Sequence, residues 1–285
     1  MTGSELSPGR AVLSKVPEIT AWFWLTKVLT TGMGETASDF LLHTLEPEVA
    51  LALGGAGLAA SLALQFRVRR YIPWIYWLAV VMVSVFGTMA ADAVHVVLGI
   101  PYAASTVFFL LVLGACFFLW HRSEGTMSIH SITSRRREVF YWAAVLTTFA
   151  LGTATGDLTA NSLSLGYLAS GMVFAVVMAV PALAYRRGIV AEIPAFWFAY
   201  IVTRPLGASF ADWSAVTPAR GGLGWGTGTV TLGLAVLIAV LISCTTVLAR
   251  CGTELPPHKG AAAVGPDGTG APSADSGHAR PLQHR

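Results

Sequence analysis

The chain has 285 residues, 54% hydrophobic and 12% charged, with a formal net charge of +3 and a mean hydropathy of +0.64. Soluble domains carry roughly 25% charged residues, so this composition excludes an ordinary soluble enzyme, a disordered chain and a nucleic-acid binder. Cys116, Cys244 and Cys251 have the spacing of neither a disulfide framework nor a zinc site.

In chain order, residues 1–18 are polar and contain Pro8 and Pro17, without the basic, apolar and small-residue succession of a cleaved signal peptide. Apolar runs follow at Ala21–His43, Val49–Phe66, Pro73–Leu98, Tyr102–Trp120, Val139–Asn161, Leu163–Tyr185, Pro194–Ser214 and Trp225–Ala249. Each approaches or exceeds the roughly 20 residues of a spanning helix. The expected fold is an all-α integral membrane protein of eight transmembrane helices. Its domain covers 19–250, after a cytoplasmic segment 1–18 and before a Gly-, Pro-, Ala- and Ser-rich tail, 251–285, that cannot offset its ordering entropy. Fifteen Lys and Arg fall in the termini and in the loops after even-numbered spans, against Arg220 alone in the opposite loops. The positive-inside rule then predicts that both termini are cytoplasmic.

The odd-numbered spans share one pattern, aromatic-Trp-x9-Gly-x4-Asp, four times. The aromatic pairs are Phe23-Trp24, Tyr76-Trp77, Tyr141-Trp142 and Phe196-Trp197. The glycines are Gly34, Gly87, Gly152 and Gly207, and the acids Asp39, Asp92, Asp157 and Asp212. All four copies enter the membrane in the same direction, which predicts tandem two-helix repeats (19–70, 71–122, 137–187, 192–250) in parallel pseudo-symmetry, fourfold or two-by-two. The aromatic pairs are expected at the cytoplasmic interface, and fifteen residues of about 1.5 Å each carry the aspartates roughly 22 Å beyond them.

Stepping back four residues at a time gives the polar stripe of each helix: Asp39, Glu35, Thr31 and Lys27; Asp92, Thr88 and Ser84; Asp157, Thr153 and Phe149; Asp212, Ala208 and Arg204. Such stripes face a protein interior or a wet cavity. The glycines admit a close neighbouring backbone, and Pro205 is expected to kink the seventh helix. A charge at mid-membrane costs about 2.5–3.5 kcal/mol, and Lys27 and Arg204 offset only two of the five acids. Protonation or a bound cation would relieve the remainder, which predicts proton-coupled transport of a small cation through a site lined by the four aspartates and Glu35. Hard oxygen ligands suit a divalent metal, and His43 and His95 would widen the choice to softer ones. No other cofactor is expected, and the expected partners are the bilayer and the cation. The competing reading makes the Gly-x4-Asp motifs packing and capping elements of a structural, assembly or sensor protein. Static pairs of Lys27 with Glu35 or Asp39, and of Arg204 with Asp212, would then fix register. Neither a nucleophile–base pair nor a metal triad is evident, so an enzyme is not expected.

The stretches Lys27–Asp39, Leu151–Asp157 and Thr203–Asp212, with Ser128-Ile129-His130, resemble a family of bacterial membrane-anchored proteins built from four copies of a repeat of unknown function. The likeness covers about residues 18–250. It implies the fold and a bacterial plasma-membrane location, and it implies no activity.

Overall fold

The computed structural model describes residues 15–96 and 98–253. The segment 1–14 and the expected disordered tail beyond Thr253 lie outside the described residues. Among the described residues the α-helices are α1 (Ala21–Thr44), α2 (Pro47–Arg67), α3 (Pro73–Val96), α4 (Tyr102–Glu124), α5 (Arg135–Asp157), α6 (Tyr167–Arg186), α7 (Glu192–Ala215) and α8 (Thr227–Thr253).

Local chemistry sets several of the ends. Thr20 caps α1 by accepting from the Phe23 amide at 3.3 Å. Ser134 caps α5 by accepting from the Arg137 amide at 3.2 Å, so α5 starts before the expected Val139. A π-helical turn, Leu158–Ser162, follows Asp157. Ser164 and Gly166 then take left-handed φ values of 55° and 76°, which delays α6 from the expected Leu163 to Tyr167. The expected kink at Pro205 does not interrupt α7, which runs as one helix through it. The proline packs into the space left by Gly152 and Gly156 of α5.

Six of the helices are long and apolar enough to cross a membrane, and α1 and α7 are not among them. The reason is the interior face of those two. Lys27, Thr30, Thr31, Glu35 and Thr36 of α1, and Thr203, Arg204, Ser209 and Asp212 of α7, are all buried within the protein. Helix α1 packs against α3 and α7, and α5 against α3 and α7, which closes a ring of odd-numbered helices. The even-numbered helices lie outside it, α2 on α3, α4 on α5, α6 on α7 and α8 on α1. Their outer faces expose apolar residues such as Leu110, Leu111, Val176, Val180, Leu232 and Val236.

The first turns of the ring correct one expectation. The repeat aromatics are not outward-facing anchors: Phe23, Tyr76, Trp77, Tyr141, Trp142, Phe196 and Trp197 are buried together, with Trp24 half-buried beside them. Each of these helices turns the aromatic pair of its repeat toward the others, and the rings meet edge to face, as in Tyr141–Trp142 at 5.2 Å and Phe196–Trp197 at 5.3 Å. The Tyr76 and Tyr141 hydroxyls are 2.5 Å apart. The exposed tryptophans are others, Trp22, Trp74 and Trp225. A strap before α1 is fastened over this end by Lys15. Its Nζ is 2.6 Å from Glu138 Oε2, and its amide donates to the Ile132 carbonyl at 3.3 Å.

Candidate functional site

The ring places equivalent repeat positions in layers. Seven residues after each Trp come Thr31, Ser84, Phe149 and Arg204, and ten residues after it come the glycines. Each glycine receives the first kind of residue from the next helix in the ring. A Cβ at Gly34 would collide with Ser84, one at Gly87 with Phe149, one at Gly152 with Arg204 and one at Gly207 with Thr31. The glycines therefore stand at the crossings of α1 with α3, α3 with α5, α5 with α7 and α7 with α1.

The absent Cβ of Gly152 lets the Arg204 side chain into the centre, where it is fully buried. Its Nη2 lies 2.5 Å from Glu35 Oε2 and donates to Thr153 Oγ1 at 2.8 Å and to Thr88 Oγ1. Nη1 donates to the Thr31 carbonyl at 3.4 Å. One guanidinium thus ties α7 to α1, α3 and α5. Thr88 Oγ1 also reaches Glu35 Oε2 at 3.4 Å, and Thr31 Oγ1 donates to the Thr203 carbonyl at 3.2 Å.

This arrangement corrects the expected ion pairs. Arg204 pairs with Glu35 and not with Asp212, and Lys27 pairs with neither Glu35 nor Asp39. Asp212 lies eight residues beyond Arg204 on its own helix, as Glu35 does beyond Lys27, and eight residues span about 12 Å. Across the ring, Glu35 is a single turn above Arg204 in repeat position. Lys27 Nζ instead lies 4.3 Å from the centre of the Phe149 ring and 4.2 Å from that of Tyr200, without a hydrogen-bond partner.

One turn beyond Glu35 come the aspartates. Asp212 is buried, and Asp39, Asp92 and Asp157 are half-buried. None of the four has an ion-pair partner among the described residues. The charges of Glu35 and Arg204 both act on all four. Among the described residues one side chain donates to their carboxylates, Asn161 Nδ2 to Asp157 Oδ1 at 3.3 Å. The two histidines are not directed at them. His43 Nδ1 is 2.6 Å from the Asp39 carbonyl, and His95 Nδ1 is 2.6 Å from the Ile100 carbonyl while its ring stacks on Tyr102. Among the described residues no three His, Cys, Asp or Glu side chains converge to hold a metal ion.

Thr88 and Thr153 were visible in the sequence as stripe residues, but not as partners of Arg204. The signal is in the column eleven residues after each Trp, which reads Glu35, Thr88, Thr153 and Ala208. Comparing repeats at that column, instead of following each helix, assembles the oxygen donors.

Long apolar helices with internal repeats around a polar centre define a multi-pass membrane protein. The chain belongs to the family described as Repeat of Unknown Function (DUF347), whose model matches residues 22–71, 75–126, 140–188 and 195–250. No curated protein and no solved structure matches it.

Proposed function

We propose that all eight helices span the plasma membrane of a bacterium, with both termini cytoplasmic, and that the protein moves a cation along the axis of its inner ring. The polar faces of α1 and α7 are buried against their neighbours, and Leu25, Phe40 and Phe198 face outward, so the polar residues do not prevent spanning. The glycine contacts, passed from each odd helix to the next, support parallel repeats about an axis along the membrane normal. The observation that carries the cation reading is Arg204: a fully buried guanidinium held by Glu35 and two threonines, beneath four aspartates that make no ion pair among the described residues. The aspartates gather cations at the outer end and exchange protons there. The Arg204–Glu35 pair closes the middle, and Lys27 with the buried aromatic residues closes the cytoplasmic end. The role is transport and not catalysis. The lack of a three-ligand cluster among the described residues favours a cation that keeps some of its own water over a chelated divalent metal.

The test is cation flux into proteoliposomes, with internal pH followed by a dye. Asp→Asn at Asp39, Asp92, Asp157 and Asp212 should reduce flux while the variants keep their melting temperature. Unchanged flux with lost stability in all four single variants would sink this reading. It would favour the second one, a structural or assembly role, which the tight glycine crossings also fit. Reporter fusions in the segment before Ala21 and in the loop after Ala215 test the orientation.

A further inference from the structure

The groups around Arg204 Nη2 form a shell of their own. Glu35 Oε2 at 2.5 Å, Thr153 Oγ1 at 2.8 Å and Thr88 Oγ1 approach it from three different helices, and the Thr31 carbonyl takes the adjacent Nη1. Every one of these partners is an oxygen, and together they carry one formal negative charge. Oxygen-only shells select hard cations. A single carboxylate in a buried site balances one positive charge, whereas a divalent ion would leave one charge uncompensated.

The guanidinium is not fully engaged. Its Nε is buried without a hydrogen-bond partner, as is Lys27 Nζ nearby. Lys27 and Arg204 share the Phe149 ring, at 4.3 Å and 5.4 Å from its centre, and repel one another. On the opposite side, all four aspartates attract Arg204. Glu35 holds the guanidinium where it is; with Lys27 on one side and the aspartates one turn beyond Glu35 on the other, a withdrawal from that carboxylate is directed toward the aspartates.

We infer that Arg204 is a tethered cation occupying a monovalent-cation site formed by Glu35, Thr88, Thr153 and the Thr31 carbonyl. A free hard alkali cation of the sodium class takes that place when the guanidinium withdraws toward the aspartates. The inference rests on the axis being a cation path, and it names the cation.

The experiment uses full-length protein in detergent, melted in sodium, lithium, potassium or choline chloride at constant ionic strength. Arg204→Met vacates the shell. Its melting temperature should rise to a plateau with sodium but not with choline, and the double variant R204M/E35Q should lose that rise. No alkali-ion response, an equal response in the double variant, or a response to guanidinium alone would each overturn the inference. Should Arg204→Met fail to fold, binding of radiolabelled sodium to the unmodified chain replaces it. Saturable binding that is lost in Thr153→Val supports the site, and absence of saturable binding overturns it. The outcomes for the two readings are separable. Aspartate-dependent flux in proteoliposomes without any alkali-ion binding rejects the sodium site and leaves transport standing, whereas sodium-dependent stabilisation without flux does the reverse.

Discussion

The glycines of the repeat differ in what surrounds them, and alanine substitution should separate them. At Gly207 a Cβ would fall 2.7 Å from the Val28 carbonyl oxygen, which belongs to helix backbone and cannot rotate away. At Gly87 it would lie 2.8 Å from Phe149 Cβ, also fixed to a helix. Overpacking of this kind costs about 1–3 kcal/mol. Gly114 and Gly233 have nothing within 4 Å of the added atom. Alanine there should be neutral or slightly stabilising, because glycine in a helix interior is about 1 kcal/mol worse than alanine. Melting temperatures in detergent should therefore fall for Gly207→Ala and Gly87→Ala and hold for Gly114→Ala, and equal values would remove the close-approach account. The ion pair below makes a second demand. Arg204→Met leaves Glu35 buried and unpaired, which costs about 3–5 kcal/mol. Adding Glu35→Gln should recover part of that loss, since the double variant buries no lone charge. Strictly additive losses in the cycle would mean that the two side chains do not act on each other.

Among the elements, the strap before α1 is the least anticipated. Glu138 is 1% exposed at its side chain, and its carboxylate takes Lys15 at one oxygen and Gln65 Nε2, at 3.2 Å, at the other. The strap is thereby bound to the first turn of α5 and to the last turn of α2. Lys15→Met should destabilise the fold by about 3–5 kcal/mol, and Lys15→Met with Glu138→Gln by less. Thermal unfolding of the two variants checks this, and an unchanged melting temperature in the single variant would show that the strap does not hold the helix ends together. The sequence made the helices legible because each is a long apolar run, and it made α1 and α7 legible as the charged pair. It hid the strap, since Lys15 and Glu138 read as flanking polar residues until the helix ends come together. It also did not show that Trp77, Trp142 and Trp197 turn inward. Tryptophan at the start of a spanning helix has the same local signature whether it faces lipid headgroups or a neighbouring helix, and only the closure of the ring decides between them. Glu35 and Arg204 were recognisable singly as buried charges, but their pairing crosses helices and has no trace in the spacing along either one.

At the level of the whole molecule, the unit of sequence and the unit of packing are out of phase. The family model matches an odd helix followed by the next even helix, yet α2 packs on α3, α4 on α5 and α6 on α7, each on the odd helix of the following repeat. Carried round the ring, this rule requires the last helix to return to the first, and α8 does pack on α1. Thr231 Oγ1 donates to Thr36 Oγ1 at 2.9 Å across that junction, and Gly228 makes room for Phe40. No loop enforces this contact, so its existence depends on the ring closing upon itself. Replacing Thr36 and Thr231 with cysteine, in a chain whose Cys116, Cys244 and Cys251 are changed to serine, should give a disulfide under mild oxidation. The side-chain contact is compatible with the Cβ separation of about 3.5–4.5 Å that a disulfide needs. On a denaturing gel the product should migrate as a compact monomer. A covalent dimer would mean that α8 packs on the α1 of a second copy, a swap that leaves every local contact intact. No cross-link of either kind would mean that α8 does not lie on α1. The Arg204 site would keep its enclosure even then, because Glu35 and Thr31 reach it from α1 and the crossing of α1 with α7 at Gly207 does not involve α8.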